Sequence, residues 1–167
     1  MKAKLIVEGK EFPIEIQDPE LEKLLKPKKK TGYERADVDC EYYCEHCEGG
    51  VYPIMERNGE SDDDSYECAN YYSDETVAKN NARADKLMRQ LRRFAAEHRE
   101  DLDWLDEHSV KYYIYYDNRV LTLCIDVNCT RQMHGVIYFD TEKTAKLAIK
   151  TFHDELIWYF TEYKDSL

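Results

Sequence analysis

Two segments near the start of the chain, 2–7 (KAKLIV) and 11–16 (EFPIEI), alternate or run apolar on either side of Glu8-Gly9-Lys10. This is the pattern of a β-hairpin. DPELEKLLK follows, with Asp18 as N-cap and Pro19 at the first helical position, and predicts a short helix that Pro27 ends. Residues 27–32 (PKKKTG) read as a basic linker.

Beyond the linker the pattern runs twice through strands into a long helix. In the first half, strands are expected near 40–47 (CEYYCEHC) and 51–57 (VYPIMER), joined at Glu48-Gly49-Gly50. An acidic loop at 58–65 leads to a third strand near 66–72 and a helix over 74–99 that opens at Ser73-Asp74-Glu75. In the second half, strands are expected near 110–116 and 119–127, joined at Asp117-Asn118, with a third at 134–139 (HGVIYF) and a helix near 141–163. The two strand-to-helix junctions align at an offset of 67: Tyr71 with Tyr138, Glu75 with Glu142, Ala78 with Ala145, Lys79 with Lys146. Each places a polar N-cap, Ser73 or Asp140, after an aromatic strand. Two accounts remain open: convergence on a good cap, or a duplicated β-β-β-α unit. Either way the class is α+β with antiparallel meanders. The segments read as an N-terminal module over 1–30 and two units over 31–100 and 108–167.

Charge sharpens this division. The 167 residues carry a net charge of −11. Residues 37–75 hold thirteen acids against one base, Arg57, so the rest of the chain is close to neutral. Such a concentrated field attracts cationic surfaces and repels nucleic acid and anionic membranes. The 74–99 helix carries Arg83, Lys86, Arg89, Arg92 and Arg93 on its polar side, read as the solvated face of an amphipathic helix. A hydrophobic content of 43% with fourteen tyrosines argues for a packed chain with half-exposed aromatic sheets. No apolar run is long enough to span a bilayer and the N-terminus lacks signal-peptide character, so a cytoplasmic protein with reduced cysteines is expected.

Candidate chemistry is sparse. Cys40, Cys44 and Cys47 with Cys68 are the one potential zinc set. Against it, a strand sends Cys44 and Cys47 to opposite faces, so half-buried thiols are the simpler reading and no metal or other cofactor is expected. The five histidines are scattered, and no phosphate-binding glycine loop, nucleophile elbow or nucleotide fingerprint is present. Carboxylate groups at Asp62-Asp63-Asp64 and at Asp101, Asp103 and Asp106 read as solvation of loops and helix ends. A binding protein is therefore expected rather than an enzyme. Asp37, Asp39, Glu41 and Glu45 share strand parity and would form an acidic outer face beside the 58–65 loop. Such a face can occupy a basic channel built for nucleic acid.

The opening MKAKLIVEGKEF with DPELEKLLKPKKKTGYER, the block ANYYSDETVAKNNARADKLMRQLRRFAAEH and the end IYFDTEKTAKLAIKTFHDELIWYFTEYKDSL carry a resemblance. They resemble small proteins of prophages and mobile elements in gut clostridia and other Firmicutes, a group that is similar to type II anti-CRISPR (Cas9 inhibitor) proteins. The GYER stretch and the N-terminal hairpin-helix are its lineage markers. The resemblance implies a counter-defence protein whose partner is a bacterial CRISPR effector nuclease. It transfers no catalytic residue. The expected partner contacts are Glu41, Glu45, Glu60, Asp62, Asp63 and Asp64, with no direct nucleic-acid or membrane binding. The alternative is a small structural or regulatory phage protein that binds phage components or forms a homo-oligomer. Its interface would use a tyrosine-rich sheet and the aromatic C-terminal helix (Phe152, Trp158, Tyr159, Phe160, Tyr163).

Overall fold

The computed structural model describes residues 2–7, 10–21, 30–99 and 102–163. The chain divides into two compact units, Met1–Thr31 and Gly32–Leu167. In the first, β1 (Lys2–Val7) and β2 (Lys10–Glu15) pair antiparallel from Lys2↔Glu15 to Val7↔Lys10, as the alternation predicts. Asp18 Oδ1 accepts the N–H of Glu20 at 2.8 Å, and Pro19, Glu20 and Leu21 are helical. The rest of the expected helix and most of the basic linker lie outside the described residues.

The second unit contains both expected halves. β3 (Glu41–Glu45) and β4 (Val51–Met55) form one hairpin, and β5 (Lys111–Asp117) and β6 (Thr122–Asn128) form another. A short α1 (Glu60–Glu67) follows β4, the long α2 (Glu75–His98) joins the halves, and β7 (Tyr138–Phe139) leads into α3 (Glu142–Thr161). The class is α+β, and the strand pairing is antiparallel. The sheets are not meanders. In each half the third segment skips the second strand and joins the first: Tyr72 bridges Tyr43 of β3, and β7 pairs with Tyr112 and Tyr113 of β5, giving the order β6-β5-β7.

Three expectations change in detail. The acidic run at 58–65 is mostly helix, and the helix also takes 66 and 67 from the expected third strand. What remains of that strand is the single bridge at Tyr72, because Ala69 turns the chain at φ 58°. Asn70 then substitutes for a strand neighbour: its side-chain oxygen accepts the N–H of Glu45 at 2.7 Å and its amide donates to the Glu45 carbonyl at 2.8 Å. The second-half turn spans Asn118 to Leu121, longer than Asp117-Asn118, with Leu121 at φ 54°. The expected strand at 134–139 pairs only at its last two residues.

The helix caps lie one residue later than expected. Asp74 accepts the Val77 N–H and Thr141 accepts the Thr144 N–H, in place of Ser73 and Asp140. The offset of 67 survives this shift, since both caps move together. Ala78 and Ala145 are fully buried, and Glu75–Lys79 and Glu142–Lys146 each close at 2.8 Å. Tyr71 and Tyr138 are buried, and each hydroxyl reaches back to an earlier backbone N–H, of Ala36 and Met133 respectively.

Small side chains let α2 serve both halves. Ala78 and Ala82 lie one turn apart on a face continued by Arg89, which reaches Glu45 of β3. Leu87, Leu91, Phe94 and Ala95 join Phe139, Ala145, Ala148 and Leu156 in the main apolar core. Ile114, Leu123 and Ile125 of the β5-β6 hairpin pack against it. The first hairpin closes over a much smaller cluster, Tyr42, Cys44 and Tyr71.

Candidate acidic binding face

The first half is held by a polar network that starts at Arg35. Its Nε and Nη2 reach the Glu56 carboxylate at 3.2 and 3.0 Å, and its Nη1 reaches Asp63 at 2.6 Å. Glu56 is fully buried just beyond the end of β4. It also accepts the Tyr71 hydroxyl at 2.6 Å and the Asn58 N–H at 2.8 Å. Tyr71 stacks on Tyr42 with ring centroids 3.8 Å apart, and the Tyr42 hydroxyl donates to Asp62 at 2.8 Å. Glu56 is thus both paired and hydrogen-bonded, and Asp62 accepts the Tyr42 hydroxyl and two backbone N–H groups, the conditions under which buried carboxylates are tolerated.

The electrostatics follow from this geometry. Arg35, then Tyr71, holds the Glu56 carboxyl below the usual range. The N–H groups of Gly59 and Arg57, then the Tyr42 hydroxyl, do the same for Asp62. Burial, then Glu56, pushes Tyr71 up to about 12, while burial and Asp62 raise Tyr42. Burial raises the Cys44 thiol.

The GYER stretch builds this arrangement residue by residue. Gly32 has φ +90° and lies so close to α2 that a Cβ there would meet Val77 Cγ2 at 2.7 Å, so only glycine fits. Its carbonyl accepts the Ser73 N–H at 2.8 Å. Tyr33 packs its ring on Tyr72 and its hydroxyl accepts from Asn81. Glu34 accepts the Ser73 hydroxyl at 3.1 Å, and Arg35 is the hub described above.

On this base sits α1. Asp62, at the third helical position, accepts the N–H of the N-cap residue Gly59 at 3.0 Å and of Arg57 at 3.0 Å. The acids of the first turn face the positive end of the helix dipole. At 100° per residue, Glu60, Asp63, Asp64 and Glu67 share one stripe and Asp62 points the opposite way. Asp62 is 3% exposed and is the buried residue of α1. The stripe runs for about 10 Å along the helix. Its like charges at i, i+3 and i+4 work against the helix by a few tenths of a kcal/mol per pair, and Glu67 meets the unfavourable end of the dipole. The network beneath holds the helix despite them.

The six expected contact residues divide accordingly. Glu60 and Asp64 are exposed and make no ion pair among the described residues, and Glu41 is likewise open on β3. Asp63 is exposed but half-neutralised by Arg35. Glu45 is bound to Arg89 at 2.7 Å with its side chain 11% exposed. Asp62 is a correction: it faces inward as a structural cap and does not reach a partner. The acids that share strand parity do not form the expected outer face. Asp37 and Asp39 precede β3, and Asp39 has φ 64°, so no strand-borne row of acids forms. Glu67, exposed at the end of α1, completes the face in their place.

The other chemistry does not assemble. Cys44 points inward and donates to the Asn70 carbonyl, Cys40 is exposed before β3, Cys47 is exposed beyond it, and Cys68 is exposed after α1. Among the described residues no group of three or more His, Cys, Asp or Glu is placed to hold a metal ion. Of Arg83, Lys86, Arg89, Arg92 and Arg93 on α2, three are paired: Arg89 with Glu45, Arg83 with Glu155 at 2.8 Å while it lies over the Trp158 ring at 3.9 Å, and Arg93 with Glu97 at 3.8 Å. Trp158 is buried and Phe152 packs on the core, which leaves Phe160 as the exposed large aromatic of α3. No helix among the described residues is long and apolar enough to cross a membrane. No family model matches the chain, and neither a curated protein nor a solved structure matches it.

Proposed function

We propose that this chain is a non-enzymatic binding protein that occupies a basic, nucleic-acid-binding channel of another protein through the acidic face of α1. The observation that carries the reading is the four-carboxylate stripe Glu60, Asp63, Asp64 and Glu67, which among the described residues has one guanidinium partner, Arg35, and rests on a hydrogen-bonded polar base. A helix that weakens itself with like charges has those charges available for cationic side chains elsewhere. Lysines and arginines that hold phosphates would take the carboxylates instead. With the resemblance to mobile-element proteins, the partner class is a CRISPR effector nuclease of Cas9 type and the role is counter-defence. Assembly through α3 has less surface to draw on, since most of its aromatics close the core.

The test is an in vitro DNA-cleavage assay with a panel of type II effector nucleases. Inhibition of at least one is expected. The variant E60Q/D63N/D64N/E67Q keeps Asp62 and the network beneath it. It should weaken inhibition at least tenfold and flatten its salt dependence. Unchanged inhibition by this variant at physiological salt would overturn the docking face, and no inhibition across the panel would overturn the partner class.

A further inference from the structure

We propose that a cavity in the second half is a binding site for a neutral, compact aromatic molecule of about two fused rings. The reading does not rest on the acidic face. The cavity is about 360 Å³ and is lined by Leu87 and Leu91 of α2, Leu156 of α3 and Phe139 of β7. Tyr159 and Phe160 supply further aromatic lining at the end of α3. The rest comes from Met88 of α2, the β5 edge at Tyr113–Tyr115 and the connection 133–137.

Three observations select the ligand. No Asp, Glu, Lys or Arg lines the cavity, so a charged ligand would lose its hydration without compensation. The lining is aliphatic and aromatic, with His134 and three tyrosines as its polar residues, the usual make-up of a small-molecule site. An apolar cavity of about 150 Å³ takes benzene, and this one has more than twice that volume.

The connection 133–137 supplies a way in. The β5–β7 ladder ends at Tyr113↔Tyr138, so the chain before Tyr138 leaves the β5 edge. Met133, Val136 and Ile137 line this cavity and also a second one of about 420 Å³ that includes Trp104 and Arg92. A strap with space on both sides has room to shift over Met133–Val136, while Ile137 packs against the core. Within its turn the Val136 N–H reaches the Met133 carbonyl at 3.4 Å, and the Met133 N–H is anchored on the Tyr138 hydroxyl at 2.9 Å. Gly135 has φ +74° and no atom within 4 Å of the position its Cβ would take.

The full chain would be titrated with 2-naphthol and, separately, with naphthalene-2-sulfonate, while the methyl NMR signals of Leu87, Leu91, Ile114, Ile137 and Leu156 are followed. Saturable shifts of these signals with 2-naphthol, a raised Tm, and at least tenfold weaker binding of the sulfonate are expected. Val136→Trp, which fills the cavity from the strap, should weaken 2-naphthol binding at least tenfold. If that variant fails to fold, the shift map of the natural chain decides. Absence of saturable shifts, shifts confined to other residues, or equal binding of the two probes would each overturn the site.

Discussion

The two halves of Gly32–Leu167 share a connection but not a way of being held together. Each is a hairpin whose first strand takes the returning chain at an aromatic residue, followed by a capped helix with a buried alanine and a Glu–Lys pair. The second half closes over aliphatic and aromatic side chains, with one buried charge, Lys111, held by two backbone carbonyls. The first half has three side chains in its apolar cluster, two of them tyrosines, and relies on Arg35, Glu56 and Asp62 for the remainder. One topology therefore tolerates two kinds of interior. The polar interior permits something the apolar one does not. A short helix anchored by a buried carboxylate can carry acids on its whole outer face, because it needs no apolar stripe.

Breaking the hub of the polar half should have the largest effect. Arg35→Ala leaves the fully buried Glu56 without its cation. It is expected to lower Tm by roughly 10 °C, since removing the partly exposed guanidinium strands the buried carboxylate beneath it. Adding Glu56→Gln should recover part of the loss, which thermal unfolding by circular dichroism would read as a double-mutant cycle. A small Arg35→Ala effect would mean that the first half has another source of stability. Leu87→Ala tests the apolar half. It should cost about 2–5 kcal/mol in urea unfolding, as buried leucines do, with little dependence on pH.

Proton linkage separates the halves further. Glu56 and Asp62 are held below the usual carboxylate range in the folded protein. As pH falls, the unfolded chain takes up protons first, so the stability these two groups contribute at neutral pH is lost through the acid limb. Tyr71 is raised to about 12, so its contribution is complete below the ordinary tyrosine pKa of about 10 and is lost as pH rises towards 12. Urea midpoints across pH should therefore fall at both ends. Glu56→Gln should flatten the acid limb, and Leu87→Ala should shift the whole profile without changing its shape. An acid limb unaltered by Glu56→Gln would contradict the linkage.

Sequence patterns reveal the apolar half better than the polar one, and the reason is physical. α2 and α3 show helical spacing because Leu87, Leu91 and Ala95, or Ala145 and Ala148, must face a core. α1 has no such spacing, because its inward side chain is Asp62. A reading by hydrophobic period sees a loop there. The residual signals are Gly59 three residues before Asp62, acids in the first turn, and the i, i+3, i+4, i+7 recurrence of Glu60, Asp63, Asp64 and Glu67. HGVIYF alternates like a strand, yet pairs only at Tyr138 and Phe139, a tertiary outcome that alternation does not encode. Of the six expected contact residues, Glu45 and Asp62 are used inside the molecule because Arg89 and Tyr42 come from segments 44 and 20 residues away. Arg35, the hub, has no local pattern marking it beyond its place in GYER.

The smallest expected difference probes the shared junction itself. Asp74 and Thr141 cap equivalent helices through the same bond, to the N–H three residues on, at 3.0 and 3.1 Å. Asp74→Ala and Thr141→Ala should each cost about 1 kcal/mol, the ordinary value for a lost N-cap. The two caps differ in one respect: aspartate adds a charge to the positive end of the helix dipole, and threonine does not. That part of the Asp74 contribution is exposed and falls with ionic strength, while a neutral hydrogen bond does not. Urea midpoints at low salt and at 1 M salt should show the cost of Asp74→Ala shrinking by a few tenths of a kcal/mol, with that of Thr141→Ala unchanged. Equal salt responses would show that the charge at Asp74 adds nothing to the cap. The two junctions would then be energetically equivalent, and the difference between the halves would lie wholly in their interiors.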